Sequence, residues 1–313
     1  MDLSVVLPTY NRAESLRRTL ETFQKLSTPA IQWELLVVDN ASSDCTRNVV
    51  ESFSRSASNL PIRYVFESTQ GRSAALNTGI TQAQGDLIAF TDDDVLVHPD
   101  WIREIKKTFD EQNCSAVAGR VIPQWNHAKP PWLEMNGHFA VTNFELGDEM
   151  KEIRIPPLGA NSAFRKGIFE KYGLFRLDLG VRGSKHTITC DDTEFGERLV
   201  AGGETIIYCP GAIIYHPVDP HRTTKKYFLS WYYYNGVSVT RTFGVPQEGV
   251  FWSGIPRWLY REFLTNCIRW FFTLDSKRRF QNKLSVYRSF GNMVESHRLS
   301  SQRAISAQSI ESL

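Results

Sequence analysis

The sequence lacks several features that would place it in other classes of protein. Five cysteines occur, and no two of them are spaced as a metal-binding pair or belong to a dense disulfide pattern. No uninterrupted apolar run approaches the roughly 20 residues of a membrane-spanning helix. The N-terminus shows no basic and apolar leader. We therefore expect a protein with reduced thiols in the cytosol.

Two nucleotide-binding signatures are also missing. The first predicted strand ends in Pro8-Thr9-Tyr10-Asn11 and is not followed by the G-x-G-x-x-G of a dinucleotide-binding fold. The G-x-x-x-x-G-K-[ST] loop that cradles nucleoside triphosphates does not occur either. These absences argue against a nicotinamide-dependent dehydrogenase and against a P-loop nucleoside triphosphatase.

Charge is distributed unevenly along the 313 residues, although the net charge is only +2. Residues 1–221 carry 22 Lys+Arg against 29 Asp+Glu, whereas residues 222–303 carry 14 against 4. The basic segment is also aromatic, as in Trp231-Tyr232-Tyr233-Tyr234 and Arg269-Trp270-Phe271-Phe272. An acidic body with a basic, aromatic extension indicates that the two parts meet different partners.

Strand and helix patterns alternate over the first hundred residues. Four strands are predicted, over residues 3–8, 34–40, 62–66 and 87–92, and helices lie between them, the first with Asn11 as its N-cap. This order is that of βαβ units on a parallel sheet, so we predict an α/β fold. Ligands bind outside the carboxyl ends of such strands. The polar residues at these ends are Thr9, Asp39, Asn40 and Asp92.

An apolar strand runs directly into three consecutive carboxylates, Asp92, Asp93 and Asp94. Adjacent carboxylates repel one another and resist burial as ions unless a positive group neutralises them. A divalent cation with hard oxygen ligands is the simplest such partner, and Asp92 and Asp94 are spaced to bind it. The alternative is an acidic loop that is simply solvated.

A second acidic pair, Asp191-Asp192, opens a predicted helix. The helix macrodipole favours negative charge at this end, so a plain helix cap is the alternative to a functional site. Further along, His216 follows two predicted strands, over residues 205–209 and 212–215. A structural histidine is the alternative to a metal ligand at this position.

Seven ordered motifs together resemble the family 2 inverting glycosyltransferases of the GT-A fold. The motifs are Val6-Leu7-Pro8-Thr9-Tyr10-Asn11-Arg12, Val38-Asp39-Asn40-Ala41-Ser42-Ser43-Asp44-Cys45-Thr46, Gly71-Arg72-Ser73-Ala74-Ala75-Leu76-Asn77-Thr78-Gly79, Phe90-Thr91-Asp92-Asp93-Asp94, Gly159-Ala160-Asn161-Ser162-Ala163-Phe164-Arg165, Asp191-Asp192-Thr193-Glu194-Phe195-Gly196 and Pro210-Gly211-Ala212-Ile213-Ile214-Tyr215-His216. The resemblance covers residues 3 to 220 and implies a mostly parallel, Rossmann-like sheet flanked by helices. Asp191 departs from the family, which usually has glutamate there.

The resemblance implies inverting transfer of a sugar from a nucleoside-diphosphate sugar, most commonly a UDP-sugar, to a glycan or lipid-linked acceptor in cell-surface polysaccharide or glycolipid synthesis. It makes Asp192 the general base, with Asp191 as the neighbouring candidate. It makes Asp94 and His216 ligands of Mn²⁺ or Mg²⁺, and Asp92 a contact of the metal or of the ribose. The donor-binding residues that it implies are Pro8, Thr9, Asn11, Arg12, Asp39, Asn40, Arg72, Asn77, Asp92, Asp93 and Asn161.

We predict three segments. Residues 1–221 form the catalytic domain, with a nucleotide-binding half to about residue 120 and an acceptor-binding half after it. Residues 222–299 form a basic, aromatic helical extension, and residues 300–313 a disordered tail. The extension favours peripheral attachment to the cytosolic face of a membrane. The alternatives are packing on the catalytic domain and a contact in a homo-oligomer, and no motif supports nucleic acid binding.

Two other functions share parts of this pattern. A sugar-1-phosphate nucleotidyltransferase would also use an α/β sheet and metal-bound aspartates, but Pro8-Thr9-Tyr10-Asn11-Arg12 lacks the glycine-rich, basic loop that grips a triphosphate. A non-catalytic module that binds sugar nucleotides or glycans is expected to have lost its metal motif or its base. Both are intact in this sequence.

Overall fold

The structure is a computed structural model that describes residues 1–28, 30–56, 60–133, 139–183, 188–245 and 249–311. The chain divides into two compact units. The sheet unit comprises Met1–Ala128, Val141–His186 and Asp191–Val218. The helical unit comprises Lys129–Ala140, Thr187–Cys190 and Asp219–Leu313.

The sheet unit is one large sheet flanked by helices. Its strands are β1 (Leu3–Thr9), β2 (Trp33–Asp39), β3 (Ile62–Phe66), β4 (Leu87–Thr91), β5 (Leu96–Val97), β6 (Ala116–Gln124), β7 (Lys151–Ile153), β8 (Asn161–Arg165) and β9 (Ile206–Pro217). Its α-helices are α1 (Ala13–Phe23), α2 (Thr46–Ser56), α3 (Arg72–Gln82), α4 (Trp101–Glu111), α5 (Gly167–Tyr172) and α6 (Asp191–Ala201). The predicted α/β class is therefore confirmed.

The strands of this sheet are parallel on one side and mixed on the other. The order is β3-β2-β1-β4-β8-β6-β9-β5, and β7 pairs with β9. The first four strands are parallel, because a helix crosses over between each consecutive pair. All residues of β1, β2 and β4 are buried, which accounts for their mostly apolar sequences. Beyond β4 the sheet becomes mixed, since β8 runs antiparallel to both β4 and β6.

The N-terminus of α1 differs from the prediction. Asn11 has a φ of 51° and does not cap the helix, because its side-chain oxygen accepts a hydrogen bond from the Ser43 amide at 2.7 Å. The Ala13 amide donates instead to Asp44 Oδ2 at 3.0 Å. The cap of α1 thus comes from the loop after β2, which ties the two loops together at the edge of the sheet.

The strand β9 is continuous where the sequence predicts two strands, over residues 205–209 and 212–215. Gly119 of β6 pairs with Cys209, and the next residue, Arg120, pairs with Ile213. The intervening residues of β9 form a bulge at Pro210, which has no amide hydrogen to contribute to the ladder. The strand then continues to His216 and Pro217.

The helical unit contains three long helices and a short hairpin. They are α7 (Lys225–Phe243), α8 (Arg257–Phe272), α9 (Ser276–Glu311), β10 (Phe251–Trp252) and β11 (Ile255–Pro256). The helix α9 continues beyond residue 300, whereas the sequence predicts a disordered tail there; Gln302, Arg303 and Ala304 are good helix formers. Among the described helices, none has both the length and the apolarity that crossing a bilayer requires.

The crossing of α7 and α9 depends on two glycines. A Cβ atom at Gly236 would overlap the carbonyl oxygen of Arg288, and one at Gly291 would overlap the carbonyl oxygen of Tyr233. Both obstacles are backbone atoms, which cannot rotate away as a side chain can. The two helices therefore approach closely only because both positions lack a side chain.

We expect Gly236→Ala to destabilise the helical unit by about 1–3 kcal/mol, because the overlap forces the helices apart. This loss should appear although alanine is the better helix former by about 1 kcal/mol. The measurement is the midpoint of thermal unfolding. Gly167→Ala is the matched control, since a Cβ there meets open space. An unchanged midpoint for Gly236→Ala would contradict the proposed close packing.

Candidate functional site

The ends of β1 and β4 are joined by a buried aspartate. Thr9, the last residue of β1, donates a hydrogen bond from Oγ1 to Asp93 Oδ2 at 2.7 Å. The guanidinium of Arg12 lies 3.1 Å from Asp93 Oδ1 and 2.9 Å from Asp94 Oδ2. Burial and the charge of Asp94 raise the pKa of Asp93 to about 7, against the opposing effects of Arg12 and Thr9. Asp93 therefore connects the two strand ends within the protein.

Three side chains at this edge form a cluster suited to a metal ion. Asp92, Asp94 and His216 each offer one ligand atom, and these atoms lie within 4.8 Å of one another. His216 is buried, and its Nε2 lies 3.4 Å from Asp94 Oδ1. Two carboxylates and an imidazole form a donor set that Mn²⁺ and Mg²⁺ accept. These residues thus fit a divalent cation.

The position of His216 follows from strand pairing. Leu96, two residues after Asp94, pairs with Tyr215 in the antiparallel pair of β5 and β9. His216 is the next residue along β9, so this pairing brings its imidazole to the acidic loop. The spacing along the sequence gives no indication of this contact, because the two segments lie more than a hundred residues apart.

Arg72 connects the acidic loop to the start of α6. Its Nη2 lies 3.0 Å from Asp92 Oδ1, and its Nη1 lies 2.6 Å from Asp191 Oδ2. Burial alone would lower the pKa of Arg72, but the negative charges of Asp92, Asp191 and Asp192 raise it above its usual value. Arg72 is therefore a permanent cation between the two acidic groups that the sequence singled out.

Asp192 is held by backbone amides. Its Oδ2 accepts a hydrogen bond from the Gly159 amide at 2.8 Å, and its Oδ1 accepts one from the Thr193 amide at 2.7 Å. A Cβ at Gly159 would lie 3.0 Å from both Asp192 Oδ2 and Arg72 Nη2. The side chains of Asp192 and Arg72 therefore approach the backbone closely at Gly159.

The pKa of Asp192 is raised above its usual value. Burial is the largest cause, followed by the charge of Asp191, while Arg72 and the two amides act in the opposite direction. A small pocket beside Asp192 has an aromatic wall, whose members are Phe90, Phe164, Phe175 and Phe195. These rings exclude water from one side of the carboxylate, and a raised pKa makes the ionised form a better proton acceptor.

Asp39 is fixed at the end of β2, where it pairs in register with Thr9. Its Oδ1 accepts a hydrogen bond from the Ser42 amide at 2.9 Å, and its Oδ2 accepts one from the Tyr64 hydroxyl at 2.8 Å. Burial and the hydrogen bond to Asp39 raise the pKa of Tyr64 to about 12. Sequence reasoning did not identify Tyr64, because a tyrosine beside Arg63 in a predicted strand is no distinctive signal.

Three asparagines that the resemblance places in the donor site use their amides within the protein. Asn40 donates to Thr69 O and accepts from the Gly71 amide, each at 2.7 Å. Asn77 exchanges hydrogen bonds with the backbone of Phe175. Asn161 accepts from Trp101 Nε1 at 2.8 Å and donates to two carbonyls. The amides of all three asparagines thus make hydrogen bonds within the protein.

The remaining predicted donor contacts lie on the first strand and the loop after it. Pro8 is buried within β1, where its backbone pairs with Val38 and it offers no side-chain hydrogen bond. Asn11 is exposed and is bonded through its side chain to the loop after β2. Of this group, Thr9 and Arg12 are the residues that contact the acidic loop directly.

The chain is similar to proteins of known function. The family model described as "Glycosyl transferase family 2" matches residues 4–173. The chain is 26% identical over 243 residues to the glucosyl-dolichyl phosphate glucuronosyltransferase of Haloferax volcanii, covering 76% of each protein.

Two solved structures share the fold at low sequence identity. The mannosyltransferase PcManGT of Pyrobaculum calidifontis, in complex with GDP-Man and Mn²⁺, is 18% identical with a TM-score of 0.57, covering 99% of this chain and 79% of that chain. Residues 1–349 of S. aureus TarS, in complex with UDP, are 16% identical with a TM-score of 0.52, covering 96% of this chain and 92% of that chain.

Proposed function

The chain belongs to glycosyl transferase family 2, and from this premise we propose that it transfers a sugar with inversion from a nucleoside-diphosphate sugar to a hydroxyl acceptor. The observation that carries the proposal is the contact of Arg72 with both Asp92 and Asp191. Through this contact, the candidate metal cluster and the candidate base border one site. A transferase needs both groups at the bond that breaks.

Asp192 is the proposed general base. Its two oxygens are oriented by the amides of Gly159 and Thr193, so the carboxylate is held ready before the acceptor arrives. A positioned base of this kind contributes about 10²–10⁴-fold to the rate. A single base, without a second carboxylate acting as nucleophile, corresponds to one displacement and inversion at the anomeric carbon.

Asp191 has a different proposed role. Its carboxylate is buried and accepts a charge-assisted hydrogen bond from Arg72 at 2.6 Å. It therefore positions Arg72 rather than competing with Asp192 for the acceptor proton. The arrangement favours Asp192 of the two candidates that the sequence leaves open.

Positive charge at the leaving group comes from the chain itself and from the metal cluster. Arg72 contacts Asp92 and Arg12 contacts Asp94, so both provide permanent charge beside the acidic loop for a diphosphate. Asp92, Asp94 and His216 would hold a divalent cation, which supplies Lewis-acid stabilisation of the departing diphosphate when bound. Thr9 and Asp39, paired at adjacent strand ends, are the proposed contacts on the nucleoside side.

The donor and acceptor are proposed at the level of chemical class. UDP is bound by TarS and GDP-Man by PcManGT, so the same fold accepts either base. We propose a UDP-sugar as the donor, which the family resemblance favours. The Haloferax relative is named for an acceptor carried on dolichyl phosphate, and this supports a lipid-linked or glycan acceptor in glycolipid or polysaccharide synthesis.

The proposal is tested by incubating the protein with a panel of labelled UDP- and GDP-sugars and Mn²⁺. We expect sugar release to water or to a glycan acceptor with one donor, and binding of that donor in a thermal-shift assay. Formation of a sugar nucleotide from a sugar 1-phosphate and a nucleoside triphosphate would identify a nucleotidyltransferase. Binding without any turnover would identify a non-catalytic module. Either result contradicts the proposal.

We expect Arg72→Gln to move the acid limb of the pH profile to higher pH. Arg72 lowers the pKa of Asp192, so its removal raises that pKa further, and the base acts only when ionised. The measurement is kcat as a function of pH at saturating donor. Arg176→Gln, a surface arginine paired with Asp178, is the control. An acid limb that does not move would contradict the assignment of Asp192.

A further inference from the structure

The two sides of α8 have different surroundings. One side packs on α9, where Phe263 lies 6.1 Å from Phe290 between ring centroids and Asn266 Nδ2 donates to Ser289 Oγ at 2.8 Å. Further along the same side, the ammonium group of Lys283 lies 5.4 Å from the Trp270 ring centroid. The helix is therefore fixed within the helical unit through this inner side.

In the C-terminal half of α8, the opposite side is apolar and exposed. Leu264 and Ile268 are 59% and 58% exposed, and Phe271 and Phe272 are 71% and 73% exposed. Leu274, in the turn before α9, is 98% exposed. The helical positions 264, 268, 271 and 272 lie within an arc of about 100°, which is the width of an amphipathic helix face. We call these five residues the α8 face.

The two aromatic runs of the extension differ in their exposure. Trp231-Tyr232-Tyr233-Tyr234 on α7 is its densest aromatic run, but all four residues are partly buried. Tyr233 packs against Phe290 of α9, with ring centroids 5.9 Å apart. Phe271 and Phe272, at 71% and 73%, are the most exposed of the described aromatic residues.

The α8 face is bordered by basic residues. Residues 257–279 contain six Lys or Arg and two acidic residues. Lys277, Arg278 and Arg279 follow Leu274 after Asp275 and Ser276, and all three are exposed at the start of α9. A helix with an apolar face flanked by cations is suited to an interface between hydrocarbon and anionic headgroups.

We propose that the α8 face docks on an anionic lipid bilayer, with Phe271, Phe272 and Leu274 entering the acyl boundary and Lys277–Arg279 meeting the headgroups. Charge decides between a bilayer and a second copy of the chain. A two-fold contact through this face would bring the basic residues of both copies together, whereas anionic headgroups neutralise them. The proposal is independent of the transfer reaction, because it uses no residue of the sheet unit.

The test uses the full chain in a vesicle co-sedimentation assay. We expect binding to vesicles of phosphatidylcholine mixed with phosphatidylglycerol, weaker binding at high salt, and little binding to phosphatidylcholine alone. Phe271→Ser combined with Phe272→Ser should weaken binding by about tenfold or more, since two exposed rings lose their place in the hydrocarbon. Replacing Lys277, Arg278 and Arg279 together by glutamine should weaken it by about 100-fold at low salt.

Leu174→Ser combined with Leu177→Ser is the matched control, because both leucines are exposed on the sheet unit at 41% and 54%. It should bind vesicles like the wild type. Transfer to a water-soluble acceptor should be unchanged in the α8 variants, which separates this proposal from the proposed reaction.

Three results would overturn the proposal. The first is equal binding of wild-type protein to both kinds of vesicle. The second is binding of the glutamine variant to vesicles as tightly as the wild type. This result can be obtained even if the serine variant folds poorly. The third is a dimer in sedimentation velocity that the serine variant abolishes, since the face would then be a contact between copies.

Discussion

Replacing Asp192 by asparagine is expected to lower kcat for sugar transfer by about 10²–10⁴-fold, the contribution of a positioned general base. An amide cannot accept the acceptor proton at any pH at which the protein is folded. The substitution keeps the shape of the side chain and leaves Arg72 and the metal cluster in place. Donor binding, measured by calorimetry in the presence of Mn²⁺, should therefore stay close to that of the wild type.

Asp191→Asn is the matched variant, one residue away on the same helix. It weakens the anchor of Arg72 but keeps the base, so we expect its effect mainly in the KM for the donor. The two variants thus separate a base from a positioning residue by their kcat and KM values. Normal turnover in Asp192→Asn together with a collapse of kcat in Asp191→Asn would reverse the two assignments.

Replacing Asp94 by asparagine is expected to weaken Mn²⁺ binding by about 100-fold or more. This loss is larger than that expected for a residue that only supports a metal ligand, because Asp94 is itself a proposed ligand. The carboxylate charge is removed from a cluster in which His216 Nε2 lies 3.4 Å away. Titration of the donor-free protein with Mn²⁺ measures this directly, without reference to turnover. Activity should fall with it, and chelation of the wild type should abolish transfer until Mn²⁺ or Mg²⁺ is restored.

Asp110→Asn is the control for Asp94→Asn, because Asp110 is an exposed carboxylate on α4 that pairs with Lys106. It should leave Mn²⁺ affinity unchanged. An enzyme that keeps full activity in excess chelator would remove the metal role of Asp94. The same conclusion would follow if Asp94→Asn and Asp110→Asn bound Mn²⁺ equally well.

The order of strands and helices could be predicted from the sequence because local patterns of apolar and polar residues indicate each element. The strands β1, β2 and β4 are buried along their whole length, so their sequences are mostly apolar and do not alternate. Turn residues and helical periodicity separate them, and the parallel arrangement follows from the alternation. The family followed from ordered motifs, which the family match over residues 4–173 confirms.

Local patterns were misleading where a distant group took over a local role. Asn11 has the residue type and position of a helix cap, but Asp44 from the next loop provides the cap. Asn161 lies in a motif attributed to the donor site, and no local pattern indicates the hydrogen bonds that its amide makes with Trp101 and two backbone carbonyls. In both cases the hydrogen-bond partner is set by how the loops and strands pack.

The sequence by itself determined the chemical groups available: a carboxylate triplet after a strand, an acidic pair at a helix start, a histidine at a strand end and a basic extension. Only the tertiary structure decided which of them share a site. Arg72 and Asp191 are 119 residues apart in the chain, and β5 pairing with β9 brings His216 to Asp94. Such contacts depend on sheet order and helix packing, which minimise the free energy of the whole chain and leave no periodic signal in any one segment.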